Sequence, residues 1–170
     1  MSKKSTAAAE VSGQTRTFAL QKIYLKDCSF ESPNAPAIYT EQWNPNIQLN
    51  MHTTSSVVGE NAHEVVLHTT LEAKLGHKIA LLIEVQQAGI FEIVDASEEE
   101  LKLLLACRCA EMLYPFSRQI ISDLATQGGF PQLLLQPMDF EELFAQANAA
   151  GQAKTKTETK TKTETKTKIE

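Results

Sequence analysis

Apolar residues recur with two different periods along this chain, and the change from one to the other divides it into a strand half and a helix half. From Phe18 to Phe30 aromatic and branched residues predominate, which predicts a strand, although Lys22 and Lys26 blur its alternation. Two prolines and an asparagine in Ser32-Pro33-Asn34-Ala35-Pro36 end it. A cleaner period of two follows the loop that carries Trp43: Ile47, Leu49 and Met51 fall on one face, Gln48, Asn50 and His52 on the other. In a third strand Val65, Leu67, Thr69, Leu71, Ala73 and Leu75 oppose Glu64, Val66, His68, Thr70, Glu72 and Lys74. Gly76-His77-Lys78 makes a short turn into a fourth, where Ile79, Leu81, Ile83 and Val85 share a face. Ala80 and Leu82 place apolar groups on its opposite face beside Glu84 and Gln86, so this strand is expected to be covered on both sides.

After residue 96 the period lengthens. Ser97 with Glu100 three positions on is a capping box, and Glu98 and Glu99 suit the positive end of a helix dipole. Leu101, Leu104, Leu105, Cys109, Met112, Phe116, Ile120 and Leu124 then recur at helical spacing, with Glu111, Arg118 and Ser122 on a more polar side. The ring of Pro115 clashes with the carbonyl of Glu111, so a kink or two helical pieces is expected there, and Gly128-Gly129 supplies the stop. Phe130 to Pro137 reads as an extended link packed by Leu133, Leu134 and Leu135. Asp139 and Glu142 form a second capping box, opening a short helix through Leu143 and Phe144 toward Ala150. The fold class is therefore α+β: a four-stranded antiparallel sheet, a long kinked or broken helix, and a short C-terminal helix.

Composition changes this picture at the ends. The 170 residues, 42% hydrophobic and 22% charged, fit one domain. Residues 1–16 read as a flexible leader, 17–150 as the folded domain, and 151–170 as a Lys/Thr/Glu tail that cannot offset its ordering entropy. Removing the six lysines and three glutamates from Lys154 onward leaves ten basic and eighteen acidic side chains, a formal charge of −8. Such a body repels nucleic acid and attracts basic partners. No apolar run approaches the ~20 residues that span a bilayer, and no signal-peptide pattern opens the chain, which points to a soluble cytoplasmic protein. Three cysteines make a poor disulfide framework and fit a reducing compartment.

Tempting chemistry dissolves on inspection. His63 and His68 flank a glutamate as in a metalloprotease motif, but they stand five apart on a strand and so point to opposite faces; both read as solvent-facing or turn residues. Cys107 and Cys109 diverge by ~200° on a helix and read as small packing residues, as does Cys28. No phosphate loop, nucleophile elbow or carboxylate pair is present, so no catalytic, cofactor or metal residues are assigned. A thiol or zinc enzyme built on Cys107, Cys109 and a histidine is the competing reading from another class.

Several blocks carry a resemblance that the periodicities do not. Lys26-Asp27-Cys28-Ser29-Phe30-Glu31-Ser32-Pro33-Asn34-Ala35-Pro36, Trp43-Asn44-Pro45, Glu64-Val65-Val66-Leu67, Gln86-Gln87-Ala88-Gly89-Ile90-Phe91, Leu113-Tyr114-Pro115-Phe116-Ser117-Arg118 and Gly128-Gly129-Phe130-Pro131-Gln132-Leu133 resemble the SecB family of bacterial export chaperones. So do Pro137-Met138-Asp139-Phe140 and Leu143-Phe144, and the likeness runs from about Phe18 to about Phe144. It implies four antiparallel strands and two helices, assembled as a homotetramer that is a dimer of dimers. It implies a chaperone that holds secretory precursors unfolded without ATP or metal and passes them to the motor SecA. By the same resemblance Asp27, Glu31, Leu82 and Glu84 are the SecA-docking positions, and Trp43, Leu49, Phe116 and Phe144 the candidates for the precursor-binding surface. Core packing is the competing role for Leu49 and Phe116. Cys109-Ala110-Glu111 stands where many members carry Cys-Pro-Asn, Gly129 where threonine is common, and the lysine-rich tail where tails are often acidic. A SecB-like chaperone dedicated to one client, such as an antitoxin, is the nearer alternative; the matched acidic positions argue against it.

Overall fold

The computed structural model describes residues 17–146 and 149, so the expected leader and Lys/Thr/Glu tail lie outside the described residues. Four strands, β1 (Thr17–Glu31), β2 (Asn46–Val57), β3 (Ala62–Leu75) and β4 (Lys78–Val94), form one sheet in the order β1-β4-β3-β2. Every pairing is antiparallel. One face of the sheet is packed by α1 (Glu98–Leu103), a π-helical turn (Leu104–Arg108), α2 (Cys109–Gln127) and a last helix α3 (140–146). α2 lies over β3 and β4, so the two central strands carry the core and β1 and β2 are left as edges.

Irregularities in the sheet explain where its pattern was hard to read. The β1–β4 register slips between Leu20 and Lys22 and again between Leu25 and Asp27. Each bulge adds one unpaired residue, Gln21 and then Lys26, and reverses the parity: Phe18 and Leu20, then Ile23 and Leu25, then Cys28 and Phe30 share the helix-side face, so strict alternation fails at Lys22 and Lys26. In the β3–β4 hairpin Lys74 pairs with Ile79 but Ala73 with Leu81, leaving Ala80 as the extra residue. Ile79 therefore does not share the face of Leu81, Ile83 and Val85, contrary to strict alternation. The side chains of Ser32 and Asn34 reach this bulge and bond the carbonyls of Ala80 (2.8 Å) and Ile79 (2.9 Å), tying the turn after β1 to the start of β4.

The helix packs with a face rotated from the expected one. Its buried residues are Cys109, Ala110, Leu113, Tyr114, Ser117, Ile121, Ser122 and Ala125, whereas Phe116 is 48% exposed and Met112, Ile120 and Leu124 only flank the core. Small side chains let the helix approach the sheet closely, and Gly89 on β4 makes the same allowance from below. A Cβ there would stand 3.0 Å from a methyl of Leu113 and 2.9 Å from the ring of Phe91. The α-helix also runs through Pro115 without a break. Pro115 is exposed, where a carbonyl deprived of its donor can be hydrated, and the interruption falls instead at Leu104–Arg108, where Cys109 N–H bonds back to the Leu104 carbonyl.

The caps follow the sequence. Both arms of the Ser97–Glu100 box are made, and Asp139 Oδ1 accepts from the amides of Glu141 and Glu142 at 3.0 Å. Glu142 Oε1 accepts from Gln146 Nε2 at 3.1 Å and does not reach back to the cap, so this box is only half made. At the end of α2, Gly129 takes φ +82° and Phe130 N–H bonds the Ala125 carbonyl, which turns the chain onto the sheet. Two core clusters result. One gathers Ile38, Leu71, Leu81, Ile83, Ile121, Phe130 and Leu133; the other gathers Val65, Leu67, Phe91, Leu113, Tyr114 and Phe140. Leu134 is not part of the packed link: it is 73% exposed, because an extended segment turns it away while Leu133 goes in.

Candidate functional site

The helix-side face of β2 is incompletely covered. Leu49 and Met51 are half-buried and Ile47 is 42% exposed, all three on the parity that faces the helices. Trp43 enters this flank from the preceding loop, its ring 5.3 Å from Phe130, which also receives Tyr39 at 5.1 Å and Phe30 at 6.4 Å. That aromatic nest is anchored by Tyr39 Oη donating to the Gly128 carbonyl at 2.8 Å. Further along β2, Met51, His52, Thr53, Leu67, Ala106, Phe140, Leu143 and Phe144 line a cleft of about 250 Å³. Trp43, Leu49 and Phe144 thus lie along one apolar flank, with Ile47, Met51 and Leu143 as neighbours that pattern reading did not single out. Phe116 is not core; it sits apart on the exposed side of α2.

The opposite face of the sheet is polar. Register places Glu31 against Leu82, Ser29 against Glu84 and Asp27 against Gln86, so the four expected docking residues share one patch at the β1 edge. Asp27, Glu31 and Glu84 are exposed and Leu82 half-buried, an apolar contact among carboxylates. None of the three carboxylates forms an ion pair with another described residue. Nearby, a cross-strand cluster spans β4: Lys26 Nζ bonds both Glu64 oxygens (2.9 and 2.8 Å), and Tyr24 Oη donates to Glu64 Oε1. The Lys26 ammonium, then the Tyr24 hydroxyl, hold the Glu64 carboxyl below its usual range, while this bond pushes the Tyr24 phenol up to about 12.

Neither thiol near the helix start is poised to react. Cys107 and Cys109 are buried and unpaired; burial pushes the Cys109 thiol up to about 12 and is the chief cause that raises Cys107. A nucleophile needs the reverse shift. Cys107 Sγ instead approaches the Phe140 carbonyl at 3.6 Å, holding the start of α3. His63 and His68 do fall on opposite faces, but His68 is half-buried and stacks on His52 across the β2–β3 pair, a contact not foreseen. Among the described residues no group of three or more His, Cys, Asp or Glu is placed to hold a metal, and no helix is long and apolar enough to cross a membrane.

A sheet with an underfilled apolar flank on one side and a polar, acidic back on the other is the frame of a polypeptide-binding protein. A family model described as preprotein translocase subunit SecB matches residues 11–151. Proteins named protein-export protein SecB are similar along most of the chain. That of Nitrosococcus oceani is 47% identical over 143 residues, 83% of this chain and 87% of its own. That of Marinobacter nauticus is 39% identical, covering 91% and 97%. That of Stenotrophomonas maltophilia is 47% identical, covering 82% of each. The chain belongs to the SecB family. Its fold is shared with a SecB-like chaperone of Mycobacterium tuberculosis, solved in complex with a ChAD peptide from an antitoxin, at a TM-score of 0.56, 18% identity, and 72% and 88% coverage.

Proposed function

We propose that this SecB-family chaperone holds secretory precursors on the apolar flank of β2 and hands them to SecA through the acidic back of the sheet. The holding role is the family's activity and needs no catalytic group. A client that has not folded exposes core segments of varied sequence, and a long flank of weak apolar contacts takes them without reading one motif. Trp43, Leu49 and Phe144 line that flank, and Phe116 extends the apolar surface on the other side of α2. Asp27, Glu31, Leu82 and Glu84 receive a basic segment of SecA, with the carboxylates steering it and Leu82 supplying the contact.

The observation that carries the docking reading is the strand register, which gathers three carboxylates and one leucine from two strands onto a single patch facing away from the flank. Two ligands can then be held at once. Assembly as a tetramer, a cytoplasmic setting and the lack of catalysis complete the reading; exposed Leu103 on the helical layer supports assembly. The test is Glu84→Lys. It should abolish SecA binding in a sedimentation or calorimetric assay while capture of an unfolded precursor is unchanged; normal SecA binding by this variant would contradict the assignment.

A further inference from the structure

On the back of the sheet, in the row that runs from Asp27 through Gln86, His68 of β3 and His52 of β2 occupy directly opposed register positions. Their rings lie parallel, 4° apart in plane and 4.4 Å between centroids. His52 is exposed and His68 half-buried. His68 Nε2 is 3.0 Å from Thr54 Oγ1, a residue of β2 on the same face. Capture and docking assign no role to the stacked rings, although His52 also borders the cleft beside Leu143 and Phe144.

We propose that His52 and His68 form a two-point binding site for a borderline divalent cation, Zn²⁺, Ni²⁺ or Cu²⁺. Imidazole is the ligand these ions share, and two imidazoles fixed on paired strands lose little freedom on binding. Two nitrogens on one tetrahedral Zn²⁺ stand ~3.3 Å apart at Zn–N distances of ~2.05 Å. Parallel rings 4.4 Å apart reach that separation only when each turns about χ2, with His68 offering Nδ1 or an Nε2 released from Thr54. Gln86, opposite His68 on β4, adds a neutral amide oxygen in the same row, and water completes the shell. Asp27 of β1 ends the row beyond Gln86, two strands from His68, and one distant carboxylate gives hard cations such as Mg²⁺ and Ca²⁺ too few oxygen ligands to be held. A bound ion would staple edge strand β2 to β3 behind the apolar flank, slowing amide exchange along β2.

The test is isothermal calorimetry of the untagged full-length protein with ZnCl₂ and NiCl₂, and MgCl₂ as control, alongside hydrogen exchange. One ion per chain with a micromolar Kd is expected, together with slower exchange in β2 and no response to Mg²⁺. His52→Asn and His68→Asn should each weaken binding roughly 100-fold, the loss of a linked second ligand. His63→Asn and His77→Asn should leave it unchanged. Equal binding by the His52 and His68 variants, or no binding by the wild-type chain, would overturn the proposal.

Discussion

At the residue scale, Gly128 shows how one missing side chain organises the aromatic nest. A Cβ at this position would stand 2.2 Å from Cζ of Phe30, so β1 and the end of α2 meet only if residue 128 is bare. Gly128→Ala is expected to cost about 1–3 kcal/mol, read as a lower urea midpoint, because the ring must leave its place beside Phe130. Glu64 is the polar counterpart. Its carboxyl is held below its ordinary value of 4.5 in the fold, so its contribution is fully present above that pH and fades as pH falls through the lowered value. Glu64→Gln should cost about 1 kcal/mol at neutral pH, because Lys26 is partly exposed and screened, and should flatten the acid limb of a stability-versus-pH curve. Tyr24, Lys26 and Glu64 were individually visible in the sequence, yet their meeting was not, since it depends on a β1 bulge and a register across three strands.

At the element scale, the strands of the sheet were legible because a half-buried strand writes its period directly into the chain. The helix was legible in extent, through Ser97 and Gly129, but not in orientation. Its large apolar residues, Met112, Phe116 and Ile120, suggested one face, whereas Ala110, Ser117 and Ala125 set the closest approach to the sheet. The buried face combines large Leu113, Tyr114 and Ile121 with small residues between them, while Met112, Phe116 and Ile120 lie beside or outside it. The apolar flank of β2 is half legible for a related reason: alternation assigns Ile47, Leu49 and Met51 to one face but cannot say whether that face is filled. Ile47 and Gln48 are adjacent with opposite orientation, which makes a clean comparison. Ile47→Asp should weaken capture of an unfolded precursor roughly tenfold, and Gln48→Asp should leave it within error, as measured by fluorescence anisotropy of a labelled precursor.

At the scale of the whole molecule, the sheet separates two surfaces of opposite character, apolar beside the helices and acidic behind. The sequence showed both ingredients, an excess of eight acidic charges before the tail and a fourth strand apolar on two faces, but only the resemblance to SecB joined them to a task. The most direct test of the account is the mass, by light scattering on a sizing column, of the protein alone and after mixing with a chemically unfolded, slow-folding secretory precursor. A tetramer that captures the unfolded precursor as a defined soluble complex and ignores the folded one is the expected result. A monomer that captures neither would contradict the account.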